Sequence, residues 1–166
     1  MAEDKHNCGL DVEELKKSYG AFVKKYSLPE FDDLAQEFDV EKTEEKSGKF
    51  ILRKIRRIIV EKISAYLHLF ETFMNPSSAP MLIILMLKTA TEGDKKEIED
   101  VYRKLAKIEI GSIKLDTIYS EKNEAEMIVS IYSEWQKLKT RIFDLIVKFD
   151  DNFDINSKET RKGYFG

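Results

Sequence analysis

Residues 128–149 read IVSIYSEWQKLKTRIFDLIVKF, and their apolar side chains recur at alternating spacings of three and four. This spacing places them at the a and d positions of about three heptads, the pattern of a long helix that packs along its length against other helices. We call these residues the heptad seam: Ile128, Ile131, Trp135, Leu138, Ile142, Leu145 and Phe149. The seam predicts an all-α protein, built either as a bundle within one chain or between chains.

The composition agrees with a helical fold. The 166 residues include only 7 Gly and 3 Pro, and 36% of them are charged. Few helix breakers and many Lys, Glu, Ile and Leu residues favour long helices over a turn-rich β fold. A chain of this length is expected to form one domain. High Lys, Glu and Ile content with a single cysteine is also typical of hyperthermophile proteins.

The apolar periodicity predicts five to six helices. Asp11 with Glu14 has the spacing of a capping box at the start of the first helix. Gly111 is expected to end the fifth helix, and 112–119 is either a helical turn or a short extended piece. We favour the helical turn, because no strand is predicted to pair with it. The helices are expected near residues 11–26, 31–38, 49–74, 81–91, 95–110 and 120–150.

The last of these helices bears on the shape of the bundle. It would be roughly 45 Å long at 1.5 Å per residue, whereas a compact domain of this size is only about 40 Å across. Either the bundle is elongated, or one end of this helix projects and packs on a second chain. The fold that we predict is an elongated antiparallel bundle. The fourth helix is apolar nearly all round and is expected to be central and buried. The predicted organisation is a mobile N-terminus (1–10), a helical hairpin (11–40), an acidic linker (41–48), a bundle core (49–150) and a mobile polar tail (151–166).

A basic face on the third helix is one candidate functional site. Lys49, Arg53, Arg56 and Arg57 lie at i, i+4, i+7 and i+8, on the side that we expect to be opposite an apolar stripe of Leu52, Ile55 and Ile59. Arginines clustered in this way suit phosphate groups, which suggests binding to a nucleic-acid backbone. The alternative is an ordinary solvated helix face, paired with acidic residues of the 41–48 linker.

The heptad seam is a second candidate site. It could form a dimer or partner-helix interface. Alternatively, it is the core of this chain's own bundle, since the other helices also need an apolar surface to pack on. The sequence leaves this choice open.

Catalytic, metal and cofactor chemistry find no support in the sequence. His68 and Glu71 are three residues apart, but a di-iron bundle needs such elements on two helices. His6 and Cys8 offer two zinc ligands where a tetrahedral site needs four. No base stands near a nucleophile in any recognisable pattern, and no glycine-rich phosphate loop is present. We therefore expect no enzyme activity, no metal site and no cofactor.

The cysteine content and the net charge limit the location and the functions that the sequence predicts. One cysteine forms no internal disulfide, and the polar N-terminal residues make no signal peptide, so we expect a cytoplasmic protein. No apolar run approaches the ~20 residues of a spanning helix. The predicted function is a non-enzymatic helical interaction or assembly protein that binds protein and self-associates. The alternative is a subunit that binds nucleic acid through the basic face, and the net charge of -3 requires any such role to be local.

Overall fold

The computed structural model describes the backbone of residues 4–42, 49–88 and 90–164, and the side chains of 12–42, 49–77, 79–88 and 90–151. Within these ranges the chain forms six α-helices and two short 3₁₀ turns, without strands, so the predicted all-α class is confirmed. The elongated antiparallel arrangement stays a prediction. The helices are α1 (Asp4–Tyr26), α2 (Phe31–Phe38), α3 (Ile51–Met74), α4 (Met81–Leu87), α5 (Glu92–Thr117) and α6 (Glu121–Tyr164), and the 3₁₀ turns are Val40–Lys42 and Pro76–Ser78.

Several helix ends differ from the sequence prediction. Helix α1 already begins at Asp4, so Asp11 lies inside it and the capping box predicted there is wrong. Helix α6 continues beyond Asp150 to Tyr164. The mobility expected for 1–10 and 151–166, and the role of the linker at 41–48, stay predictions; residues 1–3, 43–48 and 165–166 lie outside the described residues.

Gly111 does not end α5, which runs on to Thr117 and confirms the helical interpretation of most of 112–119. A Cβ atom at Gly111 would lie 3.0 Å from Cε of Met127 on α6. The glycine therefore lies inside α5, against the flexible end of the Met127 side chain, and does not cap the helix.

Helix α5 begins with a reciprocal cap made by Thr91 and Asp94. The backbone N–H and the hydroxyl of Thr91 donate to Oδ2 of Asp94 at 2.8 and 2.7 Å, and the backbone N–H of Asp94 donates to the Thr91 hydroxyl at 3.2 Å. This is a capping box with Thr91 at the N-cap and an aspartate at N3. Asp94 also accepts from Lys148 Nζ at 2.7 Å, which together with the Thr91 contacts lowers the pKa of Asp94 to about 2.

The described chain divides into two compact units, the first of which comprises residues 1–63 and 108–134. In it, α1 and α2 pack on each other, with the rings of Tyr19 and Phe31 edge to face at 5.9 Å. The Tyr19 hydroxyl donates to the Pro29 carbonyl at 3.0 Å, and burial raises the pKa of this tyrosine. The buried face of α3 in this unit carries Ile51, Leu52, Ile55, Arg56, Ile59, Val60 and Ile63.

The second compact unit comprises residues 64–107 and 135–166. Its interior contains aromatic contacts: Tyr66 lies 5.2 Å from Trp135, and Phe73 lies 5.4 Å from Phe149, measured between ring centroids. Arg141 on α6 bridges Glu97 and Asp100 on α5 at 2.5 and 2.7 Å, so α5 and α6 are joined by charge as well as by apolar packing.

Candidate functional site

The heptad seam is buried within the single chain. All seven of its side chains are at most 5% exposed, and Ile128, Leu138 and Phe149 are completely buried. Their apolar surface is therefore already removed from water without a second chain. Of the two alternatives left open by the sequence, the structure shows the seam as this chain's own core.

The four residues of the predicted basic face do not all lie on the solvent-exposed side of α3, because Arg56 is completely buried. The expectation that Arg56 lies opposite the apolar stripe is wrong. Arg56 follows Leu52 by four residues and precedes Val60 by four, which places it on the buried side of α3. Lys49 and Arg57 are exposed, and Arg53 is partly buried.

The three arginines are held by two carboxylates from α5 and α6. Nε of Arg56 donates to Oε2 of Glu124 at 2.5 Å, and its Nη2 donates to Oδ1 of Asp116 at 2.6 Å. Its Nη1 donates to the Ser112 hydroxyl. Burial alone would lower the pKa of Arg56, but the hydrogen bonds to Glu124 and Asp116 outweigh it and raise that pKa.

Arg53 and Arg57 extend this cluster towards solvent. Nε of Arg53 donates to Oε1 of Glu124 at 3.0 Å, and its guanidinium lies 4.9 Å from the ring centre of Tyr119. Arg57 donates to Oδ1 of Asp116 at 3.1 Å. These contacts bring Arg53, Arg56 and Arg57 together but occupy their guanidinium groups with protein carboxylates. Their described carboxylate partners are Glu124 and Asp116, whereas most of the acidic linker suggested by the sequence, residues 43–48, lies outside the described residues.

Sequence reasoning missed Ser112, Asp116 and Glu124, and of these three Glu124 is the one that left a signal in the sequence. It lies four residues before Ile128 and seven before Ile131, so it continues the a and d register of the seam towards the N-terminus of α6. A glutamate at a seam position, and an arginine inside the stripe of α3, were the available signals of a buried ion pair.

An apolar surface around α4 is exposed, which contradicts the prediction that this helix is central. Of its seven residues only Ile83 is buried, whereas Met81 is 68% exposed and Leu82 is 51% exposed. Ile84 and the preceding Met74 at the end of α3 are also exposed. An all-round apolar helix of two turns therefore exposes three of its seven side chains and fully buries only one.

The local sequence explains why α4 is short and separate. Pro80 stands at its N-cap and accepts from the backbone N–H of Ile83 at 2.9 Å. A proline disfavours helical conformation in the residue before it, so α4 does not extend back to α3. At the other end the Thr91–Asp94 cap starts α5. A helix of seven residues is only about 10 Å long and buries little of its own surface.

An apolar cleft of about 350 Å³ adjoins this helix within the second unit. Side chains from the end of α3, the end of α4 and the start of α5 form its walls. Lys95 and Glu99, one turn apart on α5, supply its only charges among the described residues. The apolar walls are Phe73, Met74, Pro76, Leu87, Ala90 and Ile98. We call Met74, Met81, Leu82, Ile84 and this cleft the α4 surface.

The described side chains include no group of three His, Cys, Asp or Glu residues placed to bind a metal ion. His68 Nδ1 lies 3.5 Å from Oε2 of Glu71, and both side chains are exposed. His6 and Cys8 have side chains outside the described ranges. No helix in the described part of the chain is long and apolar enough to cross a membrane.

In comparisons with known proteins, no family model matches the chain, and no curated protein and no solved structure matches it at a significant level.

Proposed function

We propose that this chain is a non-enzymatic interaction protein that binds another protein through the α4 surface. The observation that supports it is the exposure of Met81, Leu82 and Ile84 on a helix with no polar face. Contiguous apolar patches on a protein surface mark interaction sites more often than single exposed residues do. The single cysteine is the basis for placing this function in the cytoplasm.

The chemistry of the α4 surface suits a protein partner. Methionine side chains are flexible and polarisable, and they adapt to apolar side chains of different shapes. Three of the five methionines of the chain, Met74, Met81 and Met86, lie on α4 or next to it. The cleft has apolar walls and two side chains of opposite charge, Lys95 and Glu99, and protein interfaces likewise combine an apolar centre with polar residues.

Binding of nucleic acid through the basic face is the weaker alternative, because its arginines already bind carboxylates of the chain. It depended on four free cations, and Arg53, Arg56 and Arg57 are all bound to Glu124 or Asp116. A phosphate would have to compete with these carboxylates for the same guanidinium groups.

Site-specific photo-crosslinking tests the proposal. A photoreactive phenylalanine analogue replaces Met81, and the chain is irradiated in its native cells. The proposal expects a defined protein adduct, identified by mass spectrometry, that disappears when Leu82→Glu is added. The same label at Ile113, an exposed isoleucine of the first unit, is the matched control. Absence of any adduct at Met81, or an adduct unaffected by Leu82→Glu, would contradict the proposal.

A further inference from the structure

The α4 surface carries both a projection and a cleft on one compact unit. Met81, Leu82 and Ile84 project from α4 into solvent. The cleft beside it is lined by apolar side chains such as Phe73, Met74 and Ile98. A surface that has both features can bind a copy of itself. A two-fold axis places the projection of each copy in the cleft of the other at the same time.

The charges at the cleft are also complementary to those of a second copy. Lys95 and Glu99 both line it and are one turn apart on α5, a rise of about 6 Å. Two α5 helices that run antiparallel across a two-fold axis midway between Lys95 and Glu99, level with Glu97, bring Lys95 of each copy opposite Glu99 of the other. A partner whose rim carries charges of only one sign would instead place a like charge opposite either Lys95 or Glu99.

The present partners of these two charges are weak competitors. Lys95 contacts Glu92 at 2.6 Å, and Glu99 contacts Arg103, both within α5. Three of the four side chains are more than half exposed, and Glu99 is 44% exposed. Exposed pairs of this kind contribute little to stability, so exchanging them for pairs across an interface costs little.

From these observations we infer that the partner of the α4 surface is a second copy of this chain, in a two-fold symmetric dimer with Lys95 of each copy facing Glu99 of the other. The inference rests on the proposed function, since it names the protein that the α4 surface binds. It also places self-association away from the heptad seam, which is buried in the single chain.

The first experiment is sedimentation velocity of the purified chain over a range of concentrations. We expect the mass to rise from one chain to two. Leu82→Glu should weaken this association at least about tenfold, since burial of a charge at an interface core is costly. Ile113→Glu, at an exposed isoleucine of the first unit, should leave it unchanged. Helical content by circular dichroism confirms that each variant is folded.

A charge-exchange experiment tests the two-fold arrangement. The proposed dimer has two symmetry-related contacts between positions 95 and 99. In a dimer of the Lys95→Glu variant both contacts bring two glutamates together, and in a dimer of the Glu99→Lys variant both bring two lysines together. Each variant alone should associate weakly. An equimolar mixture of the two variants should form dimers again. In the mixed dimer the two substituted positions carry opposite charges and face each other, and the unchanged Glu99 of the first variant faces the unchanged Lys95 of the second.

Three results would overturn the inference: a wild-type chain that stays monomeric, a mixture that stays monomeric while the wild type dimerises, or open-ended larger assemblies. The failure of the inference is distinguishable from failure of the proposed function. A monomeric chain whose Met81 label crosslinks to a different protein, dependent on Leu82, overturns self-association and leaves the proposed function standing.

Discussion

Arg56 and Glu124 form an ion pair in which both side chains are completely buried, with Nε of the arginine 2.5 Å from Oε2 of the glutamate. Moving two charges out of water costs several kcal/mol per ion, and the pair is stable only because further hydrogen bonds satisfy both groups. Ser112, Asp116 and Arg53 provide those bonds. The pair joins α3 to α6 in the first unit.

Removing one partner of this pair should be more damaging than removing both. Glu124→Ala leaves Arg56 buried opposite a cavity, and we expect a loss of about 3–5 kcal/mol in the free energy of unfolding. The double variant Arg56→Met with Glu124→Leu should recover much of this loss, because both completely buried charges are removed together. Arg53 also loses Glu124, but its side chain is partly exposed to water. Urea denaturation followed by circular dichroism measures both. A double variant as unstable as Glu124→Ala would contradict this account.

Acid should weaken the second unit through Asp94. Its pKa is lowered from 3.8 to about 2 by Lys148 and Thr91. Because the pKa is lower in the folded chain, the stabilisation is present above pH 4 and is lost as the pH falls towards 2. The shift corresponds to at most about 2 kcal/mol, because Lys148 is about half exposed and water screens the pair.

The variant Asp94→Asn tests this pH dependence. It should be less stable than the wild type at pH 7, and the difference should shrink as the pH falls from 5 to 2. Denaturation at a series of pH values measures the difference. Val129→Ala, at an exposed position and with no change of an ionisable group, is the control and should show no such convergence. If the stability difference between Asp94→Asn and the wild type were the same at every pH, the ion pair would be ruled out as its origin.

The seam should behave as core rather than as interface. Leu138→Ala removes a completely buried side chain, and we expect a loss of about 2–5 kcal/mol in stability. The association constant of the folded protein should be unchanged. Val129→Ala, at an exposed position on the same helix, should change stability by less than about 0.5 kcal/mol. Thermal unfolding and sedimentation separate the two effects, and a loss of association without a loss of stability would assign the seam to an interface.

Any binding of nucleic acid should be weak, independent of sequence and sensitive to salt. Arg56 is buried and paired, so exposed Lys49 and Arg57 are the residues of the predicted patch that a phosphate can reach most directly. Fluorescence anisotropy of labelled single and double strands should show a response at low salt at most, and the Lys49→Ala, Arg57→Ala variant should reduce it. Lys96→Ala with Lys122→Ala is a charge-matched control. Tight binding at physiological salt that survives the Lys49 and Arg57 substitutions would refute this expectation.

The seam shows how far sequence patterns lead in this protein. Its spacing predicted a helix with one buried stripe, and every seam residue is buried. The same register also included Glu124, but a charged residue in a stripe is usually taken as an end of the pattern. Recognising it required knowing that Arg56 of α3 lies opposite, which is a contact over 68 residues of sequence.

Helix α4 shows where the pattern misleads. Apolar residues on all sides indicated a buried helix, because water disfavours each of them. Periodicity describes which sides of a helix are apolar, but not how many neighbouring helices are available to cover them. With α4 only seven residues long, the surrounding unit covers Ile83 and leaves Met81 and Leu82 in solvent.

Local sequence determined the helical class, the seam of α6 and the separation of α4 by Pro80, because these depend on periodicity and on backbone chemistry within a few residues. Tertiary structure alone decided which charges are buried and which apolar side chains are exposed. Burial depends on the residues that approach from distant parts of the chain. For that reason Arg56, which the sequence placed in a binding face, lies in the core, and α4, which the sequence placed in the core, forms the exposed surface.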